Sequence, residues 1–171
     1  FRSVTVPAGF APGVYPLTID IARDDCPWGY GPVQAELKII GKVNVENAGQ
    51  LSAPWGGPSG IAVKLSHDAD PYRAVEGAEV RFRLMLETGL DAWKAVTSTD
   101  ANGFAQVSVD KPLQAIAPGS YPLRIDFEHD YYAQGYIIYQ YFVTRRGTLI
   151  VYTGPTEGQY SDPVTLQAEL D

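Results

Sequence analysis

The sequence predicts an all-β chain of tandem antiparallel β-sandwiches, with one complete domain flanked by two partial ones. An internal repeat of about one hundred residues runs through the chain, and a repeat sets the number of domains before any other feature. Apolar and polar residues alternate in short segments, as in half-buried strands, and turn signals recur at roughly ten-residue spacing. The 17 Gly and 13 Pro supply those turns. No segment has the periodicity of a helix.

The repeat is clearest in two stretches that begin Ala-Pro-Gly. Residues 11–24 and residues 117–130 share Ala-Pro-Gly, then Tyr-Pro-Leu, then Ile-Asp, and lie 106 positions apart. The same offset places Leu37 on Val143 further along the chain. Because the two copies share their glycine, proline and apolar positions, we expect them to fold alike.

The offsets divide the chain into three parts. Residues 61–65 fall on residues 164–168 with an offset of 103. The predicted parts are the C-terminal half of a repeat at 1–40, a complete sandwich at 41–146 and the N-terminal strands of the next repeat at 147–171. Partial repeats expose sheet edges, which proteins avoid. Two alternatives follow: a segment of a much longer repeat polypeptide, or a subunit that exchanges strands head to tail in a fibre.

The alternation places the strands. In the first part we expect strands at 4–6, 15–21 and 33–39, with a Pro- and Gly-rich loop at 23–32. In the complete repeat seven strands are predicted, at 42–46, 61–65, 78–86, 93–97, 104–109, 121–127 and 137–143. Loops are predicted at 54–58, at 67–73 and, rich in Tyr, ahead of the last strand. Asn102-Gly103 predicts a tight turn, because this pair supplies positive φ angles.

The alternation also predicts which side chains face the core. Successive side chains of a strand point to opposite faces, so Ala62, Lys64 and Ser66 are expected to face outward. The last strand is apolar on both faces, and its alignment with residues 33–37 decides its orientation and leaves Phe142 exposed. The predicted inward residues are Ile61, Val63, Leu65, Val80, Phe82, Leu84, Leu86, Tyr139, Tyr141 and Val143.

Tyr15 and Tyr121 follow the two Pro-Gly turns at equivalent positions, at the start of the sixth predicted strand. An immunoglobulin-like domain carries a tyrosine corner at this place, and its hydroxyl ties the strand to the preceding loop. The sandwiches are therefore predicted to be immunoglobulin-like, with a structural tyrosine corner in each copy.

Four segments resemble bacterial immunoglobulin-like repeats, which occur in large cell-surface and secreted proteins. As successive parts of the repeat they extend the resemblance over nearly the whole chain. It implies tandem immunoglobulin-like sandwiches and a role as stalk, spacer, adhesin, fibre subunit or enzyme accessory, since one fold serves all of these. The segments are Tyr160-Ser-Asp-Pro-Val-Thr-Leu-Gln-Ala-Glu-Leu-Asp171, Gly77-Ala-Glu-Val-Arg-Phe-Arg-Leu84, Thr99-Asp-Ala-Asn-Gly-Phe-Ala105 and Pro118-Gly-Ser-Tyr-Pro-Leu123.

Composition and motifs argue against several function classes. A net charge of −7 argues against nucleic acid as a partner, because binding it requires a basic face. No apolar run reaches the roughly 20 residues of a membrane helix. The chain has no nucleophile elbow, no phosphate-binding glycine loop and no Cys-X-X-Cys pair. His67 and His129 fall in predicted loops and do not recur in the repeat, so we expect no enzymatic activity.

The acidic loops are the first candidate site. Asp20 and Asp24 recur as Asp126 and Asp130. Calcium is bound by clustered oxygen ligands, and a calcium ion between domains would stiffen a string of them. These four carboxylates are therefore the candidate calcium ligands. The alternative is that the aspartates end strands and cap turns, since no spacing resembles a dedicated calcium loop.

Aromatic residues in predicted loops are the second candidate site. Aromatic side chains at loop tips stack on sugar rings or bury themselves in a neighbouring protein. In a tandem array, the alternative is that they pack across the junction to the next copy. The candidates are Trp28, Tyr30, Tyr131, Tyr132 and Tyr136 in the loop before the last strand, and Trp55 in another loop.

These features predict a structural or adhesive protein at the cell surface or in the extracellular medium. We expect a repeat segment of a filament, stalk or adhesin, whose partners are neighbouring copies of itself and, as a second partner class, surface glycans. No cofactor other than calcium is expected. The alternative function is a carbohydrate-binding or spacer module of a secreted polysaccharide-active enzyme.

Overall fold

The computed structural model describes residues 10–19, 31–109, 116–147, 150–152 and 168–170. Its first two strands, β1 (Gly13–Ile19) and β2 (Val33–Ile39), pair antiparallel as a separate sheet. Its last two, β12 (Ile150–Tyr152) and β13 (Ala168–Leu170), pair in the same way. The predicted strand at 4–6 lies outside the described residues.

The described residues between 41 and 147 form nine strands, two more than the sequence predicts. In order they are β3 (Val43–Asn47), β4 (Ser52–Pro54), β5 (Gly60–His67), β6 (Asp70–Ala74), β7 (Glu79–Met85), β8 (Asp91–Ser98), β9 (Phe104–Ser108), β10 (Gly119–His129) and β11 (Tyr132–Thr144). The described part of the chain contains no helix, so the chain is all-β.

Two loop predictions are wrong. The 67–73 segment is not all loop, because β6 pairs with the end of β5 through Ser66 and Ala74. The Tyr-rich segment before the last strand is not a loop either. There β10 and β11 run on until His129 opposes Tyr132, which leaves a tight hairpin turn. Long β-pairing across the hairpin satisfies more backbone hydrogen bonds than a loop would.

The nine strands form two sheets. The first has the order β4-β11-β10-β7-β8, antiparallel except for the parallel pair β4 and β11. In the second, β5 pairs with β3 along one edge and with β9 and β6 along the other. One core cluster contains the inward residues of both sheets, so the arrangement is compatible with a β-sandwich.

The predicted orientation of the strands is confirmed along their length. Ile61, Val63, Leu65, Val80, Phe82, Leu84 and Tyr141 are fully buried, and Val143 is nearly so, whereas Phe142 is 50% exposed. Two predicted outward residues, Ala62 and Ser66, are nevertheless buried. β5 is paired along both edges, so each of these small side chains lies beside residues of neighbouring strands: Ala62 opposes Gln106, and Ser66 opposes Asn44 and Ala74.

The hydrogen-bond register corrects the alignment of the repeats in the last strand. Tyr15 pairs with Leu37 in the first copy, and Tyr121 pairs with Tyr141 in the second. Leu37 therefore corresponds to Tyr141 rather than to Val143, because the connection between the two strands differs in length by two residues. A shift of two leaves every side chain on the same face, so the predicted orientation survives.

A one-residue difference appears in the last sheet. Val45 pairs with Leu65 in the complete repeat, which by the sequence offsets predicts Val151 opposite Ala168. The structure pairs Val151 with Glu169 instead.

Both predicted corner tyrosines make the hydrogen bond expected of them. The Tyr15 hydroxyl donates to the Ala11 carbonyl at 2.7 Å, and the Tyr121 hydroxyl donates to the Ala117 carbonyl at 2.7 Å. The turn that each bond closes contains the Pro-Gly pair of its repeat. The same geometry at positions 106 residues apart shows that both copies fold alike at this turn.

Removing one hydroxyl from each of the paired residues Tyr121 and Tyr141 should have unequal effects. Tyr121→Phe loses a hydrogen bond and should lower the free energy of unfolding by about 1 kcal/mol. The Tyr141 hydroxyl is buried without a hydrogen-bond partner among the described residues. Tyr141→Phe should therefore leave the free energy of unfolding unchanged or raise it. Urea unfolding of both variants tests this, and equal losses would contradict it.

The buried Tyr141 hydroxyl also predicts how the free energy of unfolding responds to alkaline pH. Burial raises the pKa of Tyr141, and the neighbouring Ser59 hydroxyl opposes this, although the two oxygens do not meet at hydrogen-bond geometry. Because the unfolded state then releases the phenol proton first, stability should fall as the pH rises above about 10. Tyr141→Phe should reduce this loss.

Candidate functional site

The candidate site lies at the end of the sandwich where the chain enters from the first partial repeat, around Gly41. This glycine is buried, its amide donates to the Tyr131 carbonyl at 2.9 Å, and its carbonyl accepts from the Ala133 amide at 2.8 Å. A Cβ at this position would lie 2.5 Å from Pro12 Cγ and 2.8 Å from Tyr132 Cε1. Only glycine lets Pro12 of the first copy and Tyr132 of the sandwich approach the backbone between them this closely.

Two histidines surround the same tyrosine. The ring centroids of His67 and His129 lie 5.9 Å and 5.1 Å from that of Tyr132, and both pairs are nearly perpendicular. Edge-to-face packing of this kind is favourable for aromatic rings. We call Pro12, Gly41, His67, His129 and Tyr132 the junction cluster.

Trp55 lies at the opposite end of the sandwich. Its amide donates to the carbonyl of Thr144, the last residue of β11, at 2.8 Å. Its indole Nε1 donates to the Ile116 carbonyl at 2.9 Å. The ring is 43% exposed, but these bonds hold it against the segment through which the chain leaves the sandwich. Trp55 and the junction cluster therefore lie at opposite ends of the sandwich, where the chain leaves it and where the chain enters it.

Tyr136 lies apart from both ends, on the outer face of the five-stranded sheet. The Arg124 guanidinium stacks over its ring at 4.2 Å and donates to Asp126 at 2.6 Å and 2.8 Å. The hydrogen bond to Asp126 raises the pKa of Arg124, so the guanidinium stays charged. Arg83 is held in the same way by Asp91, at 3.0 Å and 3.2 Å.

These pairs line a shallow groove of about 920 Å³ on the outer face of β7, β8, β10 and β11. Its basic residues equal its acidic ones in number, so the groove carries no net charge. The charged residues are Arg81, Arg83, Lys94 and Arg124, with Glu79, Asp91, Asp126 and Glu128. Tyr136 and Val96 supply exposed apolar surface beside them.

The predicted site residues thus separate into several groups. Tyr131 in the hairpin turn and Tyr132 at the start of β11 lie at the junction, whereas Tyr136 and Trp55 do not join them. The prediction that Tyr132 and Tyr136 lie in a loop is wrong, because both belong to β11. Trp28, Tyr30, Asp20 and Asp24 lie outside the described residues.

The calcium prediction gains no support where the structure describes it. Asp126 already pairs with Arg124, and Asp130 is exposed in the hairpin turn. Among the described residues, no group of three or more His, Cys, Asp or Glu side chains is placed to hold a metal ion. Asp126 instead neutralises an arginine within β10, and Asp130 occupies the hairpin turn.

The partners of Gly41 and the convergence of the two histidines were not predicted from the sequence. The recurrence of Gly41 at Gly147 was a signal for the first. Nothing in the sequence signalled the second, because His67 and His129 lie 62 positions apart and neither recurs. Tyr72 was also missed: it is 97% exposed on β6.

No protein-family model and no curated protein matches this chain. Within the residues described, no helix has the length and apolar character needed to cross a membrane.

Proposed function

We propose that this chain is a repeat segment of an extracellular structural or adhesive assembly, in which immunoglobulin-like sandwiches are joined end to end. Its partners are neighbouring copies of the same repeat, either adjacent in one long chain or assembled as a homopolymer. The segment has no catalytic role. It contributes a stable module and a defined angle to the next module, as the members of a filament, stalk or adhesin do.

The junction at Gly41 carries the proposal. Pro12 belongs to the tyrosine-corner turn of the first copy, and it meets Gly41 where the sandwich begins. Both residues recur 106 positions later, as Pro118 and Gly147. Nothing lies within 4 Å of a Cβ placed at Gly147, so among the described residues the contact is made at Gly41 and its two sides recur in the sequence alone. Recurrence of both residue types at the repeat distance is the feature that a chain of similarly connected modules requires.

The strand order supports the immunoglobulin-like assignment. With β3, β5, β7, β8, β9, β10 and β11 taken as strands A, B, C, C′, E, F and G, one sheet is A-B-E and the other is G-F-C-C′. This is the arrangement of an immunoglobulin-type sandwich. In this correspondence Tyr121 lies at the start of strand F, where a tyrosine corner belongs.

Antibodies raised against residues 41–147 test the location and the assembly together. They should label intact cells of the native source as strongly as permeabilised ones, or label the medium, and electron microscopy should show the label along extended structures. Labelling that requires permeabilisation would contradict the proposal. After full denaturation, a mass many times 18.6 kDa would indicate one long repeat chain, and a mass near 18.6 kDa a fibre of separate subunits.

The groove on the outer sheet face favours a second candidate function, carbohydrate binding. A sugar chain is neutral and presents many hydroxyls, which arginine–carboxylate pairs can bond without losing a charge partner. The exposed ring of Tyr136 offers a surface on which a sugar ring can stack.

A panel of neutral polysaccharides distinguishes the two functions. If the groove binds sugar, Tyr136→Ala should abolish retention, whereas Phe142→Ala should not. Phe142 is a matched control because it is also exposed on the outer face of β11 but does not line the groove. If none of the polysaccharides retains the unaltered chain, carbohydrate binding is excluded and the structural role is the one proposed function that remains.

A further inference from the structure

The chain has two histidines, and the fold brings both to one tyrosine. His67 is the last residue of β5 and His129 the last residue of β10, so they come from different sheets. Histidine is the side chain whose charge normally changes between pH 5 and 8. The junction cluster is therefore built around the only histidines that the sequence contains.

Both imidazoles are held in a form that protonation would disrupt. His67 Nδ1 accepts a hydrogen bond from the Ala69 amide at 3.2 Å, and His129 Nδ1 accepts one from the Tyr131 amide at 3.0 Å. An imidazole nitrogen accepts such a bond only while it carries no proton. A proton on Nδ1 would place two donors against each other, so each turn would lose its side-chain bond and rest on the strand pairs His67–Asp70 and His129–Tyr132 alone.

The surroundings offer the charged rings no direct partner. In the part of the chain that the structure describes, no carboxylate lies within salt-bridge distance of either imidazole. The Asp70 carboxylate accepts from the Tyr72 amide, and Glu128 pairs with Arg81. The neighbouring elements carry Lys42 before β3, Glu46 on β3, Asp68 at the β5–β6 turn, Asp70, Tyr72 and Arg73 on β6, Glu128 on β10, Asp130 and Tyr131 in the hairpin turn, and Tyr132 on β11; Asp70 is the strand partner of His67. Pro12, the residue of the first copy that meets Gly41, is uncharged.

The two turns also bear directly on the junction. The Tyr131 carbonyl accepts the Gly41 amide, and the Ala133 amide donates to the Gly41 carbonyl, so the turn closed by His129 is bonded to Gly41. The turn closed by His67 is bonded to the residue after Gly41, because the Asp68 amide donates to the Lys42 carbonyl at 3.0 Å. Opening either turn loosens the segment that joins the two repeats.

We propose that the junction cluster is a pH-sensitive clasp between successive repeats. At neutral pH the uncharged imidazoles close both turns and hold Tyr132 against Gly41 and Pro12. Protonation of the imidazoles removes the side-chain bond from both turns, places two positive charges around Tyr132 and lets the first copy swing relative to the sandwich. The inference concerns the junction alone and holds for either candidate function.

Amide exchange of the full chain at pH 7.5 and pH 5.0, corrected for the intrinsic rate at each pH, tests the clasp. We expect protection at the amides of Ala69, Tyr131, Gly41 and Ala133 to fall by about fivefold for each hydrogen bond lost at the lower pH. Protection in the core of β7 should stay unchanged, since the sandwich remains folded. Spin labels at Lys38 and Lys94, in a Cys26→Ser background, should show a broader distance distribution at pH 5.0.

The matched control is the double variant His67→Asn, His129→Asn. An Asn side-chain oxygen accepts a bond from the amide two residues on, as these Nδ1 atoms do, but does not titrate. The variant should therefore keep both turns closed at both pH values. The proposal would be overturned if amide protection in the unaltered chain did not change with pH. It would also be overturned if the double variant showed the same change, or if the core of β7 lost as much protection as the two turns.

Discussion

Gly103→Ala is expected to lower the free energy of unfolding of the sandwich by about 3–4 kcal/mol. Gly103 has a φ of +80°, which costs an L residue about 1–2 kcal/mol. In addition, a Cβ there would overlap the Leu65 carbonyl oxygen, a backbone atom that cannot turn away. The Gly103 carbonyl also accepts the Leu65 amide at 2.8 Å, so moving the turn away from β5 breaks that bond.

Gly89→Ala separates the cost of the positive φ from the cost of the overlap with the Leu65 carbonyl oxygen. Gly89 has the same φ of +80°, but nothing lies within 4 Å of the position its Cβ would take. This variant should therefore lose only the conformational part, about 1–2 kcal/mol. Urea unfolding of both variants, with m-values compared, measures the difference. Equal losses would mean that the turn at Gly103 can move away from Leu65 at no cost.

The turn at Gly103 illustrates what a sequence can predict. Asn102-Gly103 predicted a tight turn because its signal is local: two adjacent residues suited to positive φ. The alternation predicted the inward faces of β5, β7 and β11 for the same reason, since side-chain direction depends only on position along a strand. The tyrosine corners were equally local, each bond spanning four residues.

What could not be predicted depends on contacts between distant segments. The close approach of Gly103 to Leu65 joins residues 38 positions apart, and no local pattern encodes it. The same holds for β6, whose pairing depends on the end of β5. The two-residue shift between the copies arose because the sequence alignment assumed connections of equal length, whereas the pairing of the strands sets the register.

In the candidate site, too, local features could be predicted from the sequence and contacts between distant segments could not. The sequence grouped Tyr132 and Tyr136 in one loop, whereas both lie in β11, four residues apart. An even spacing leaves both on the same side of the strand, so distance along β11 separates them: Tyr132 packs at the junction and Tyr136 packs against Arg124. Asp126 was selected for its charge, yet the Arg124 two residues before it lies on the same face and already neutralises it.

Thr99→Val is expected to lower the free energy of unfolding by about 2–4 kcal/mol. Thr99 is buried, and its hydroxyl donates to the Val75 carbonyl at 2.6 Å and accepts from the Ala78 amide at 2.9 Å. Valine has nearly the same shape, so no cavity forms. The Val75 carbonyl and the Ala78 amide would instead stay buried without a partner, which costs about 1–3 kcal/mol each.

Thr97→Val is the matched control, because it makes the same chemical change two residues earlier in the chain. The Thr97 side chain is half-buried, and its hydroxyl makes no hydrogen bond among the described residues, so the free energy of unfolding should change by less than about 0.5 kcal/mol. The Thr99 backbone also bonds the 75–78 segment, through Gly77 at 3.0 Å and Ala78 at 2.9 Å. Those backbone bonds remain in Thr99→Val. If this variant loses much more free energy of unfolding than Thr97→Val, the Thr99 hydroxyl is the group that holds the start of β7 to the end of β8. Equal effects of the two variants would show that Val75 and Ala78 find other partners when the hydroxyl is removed.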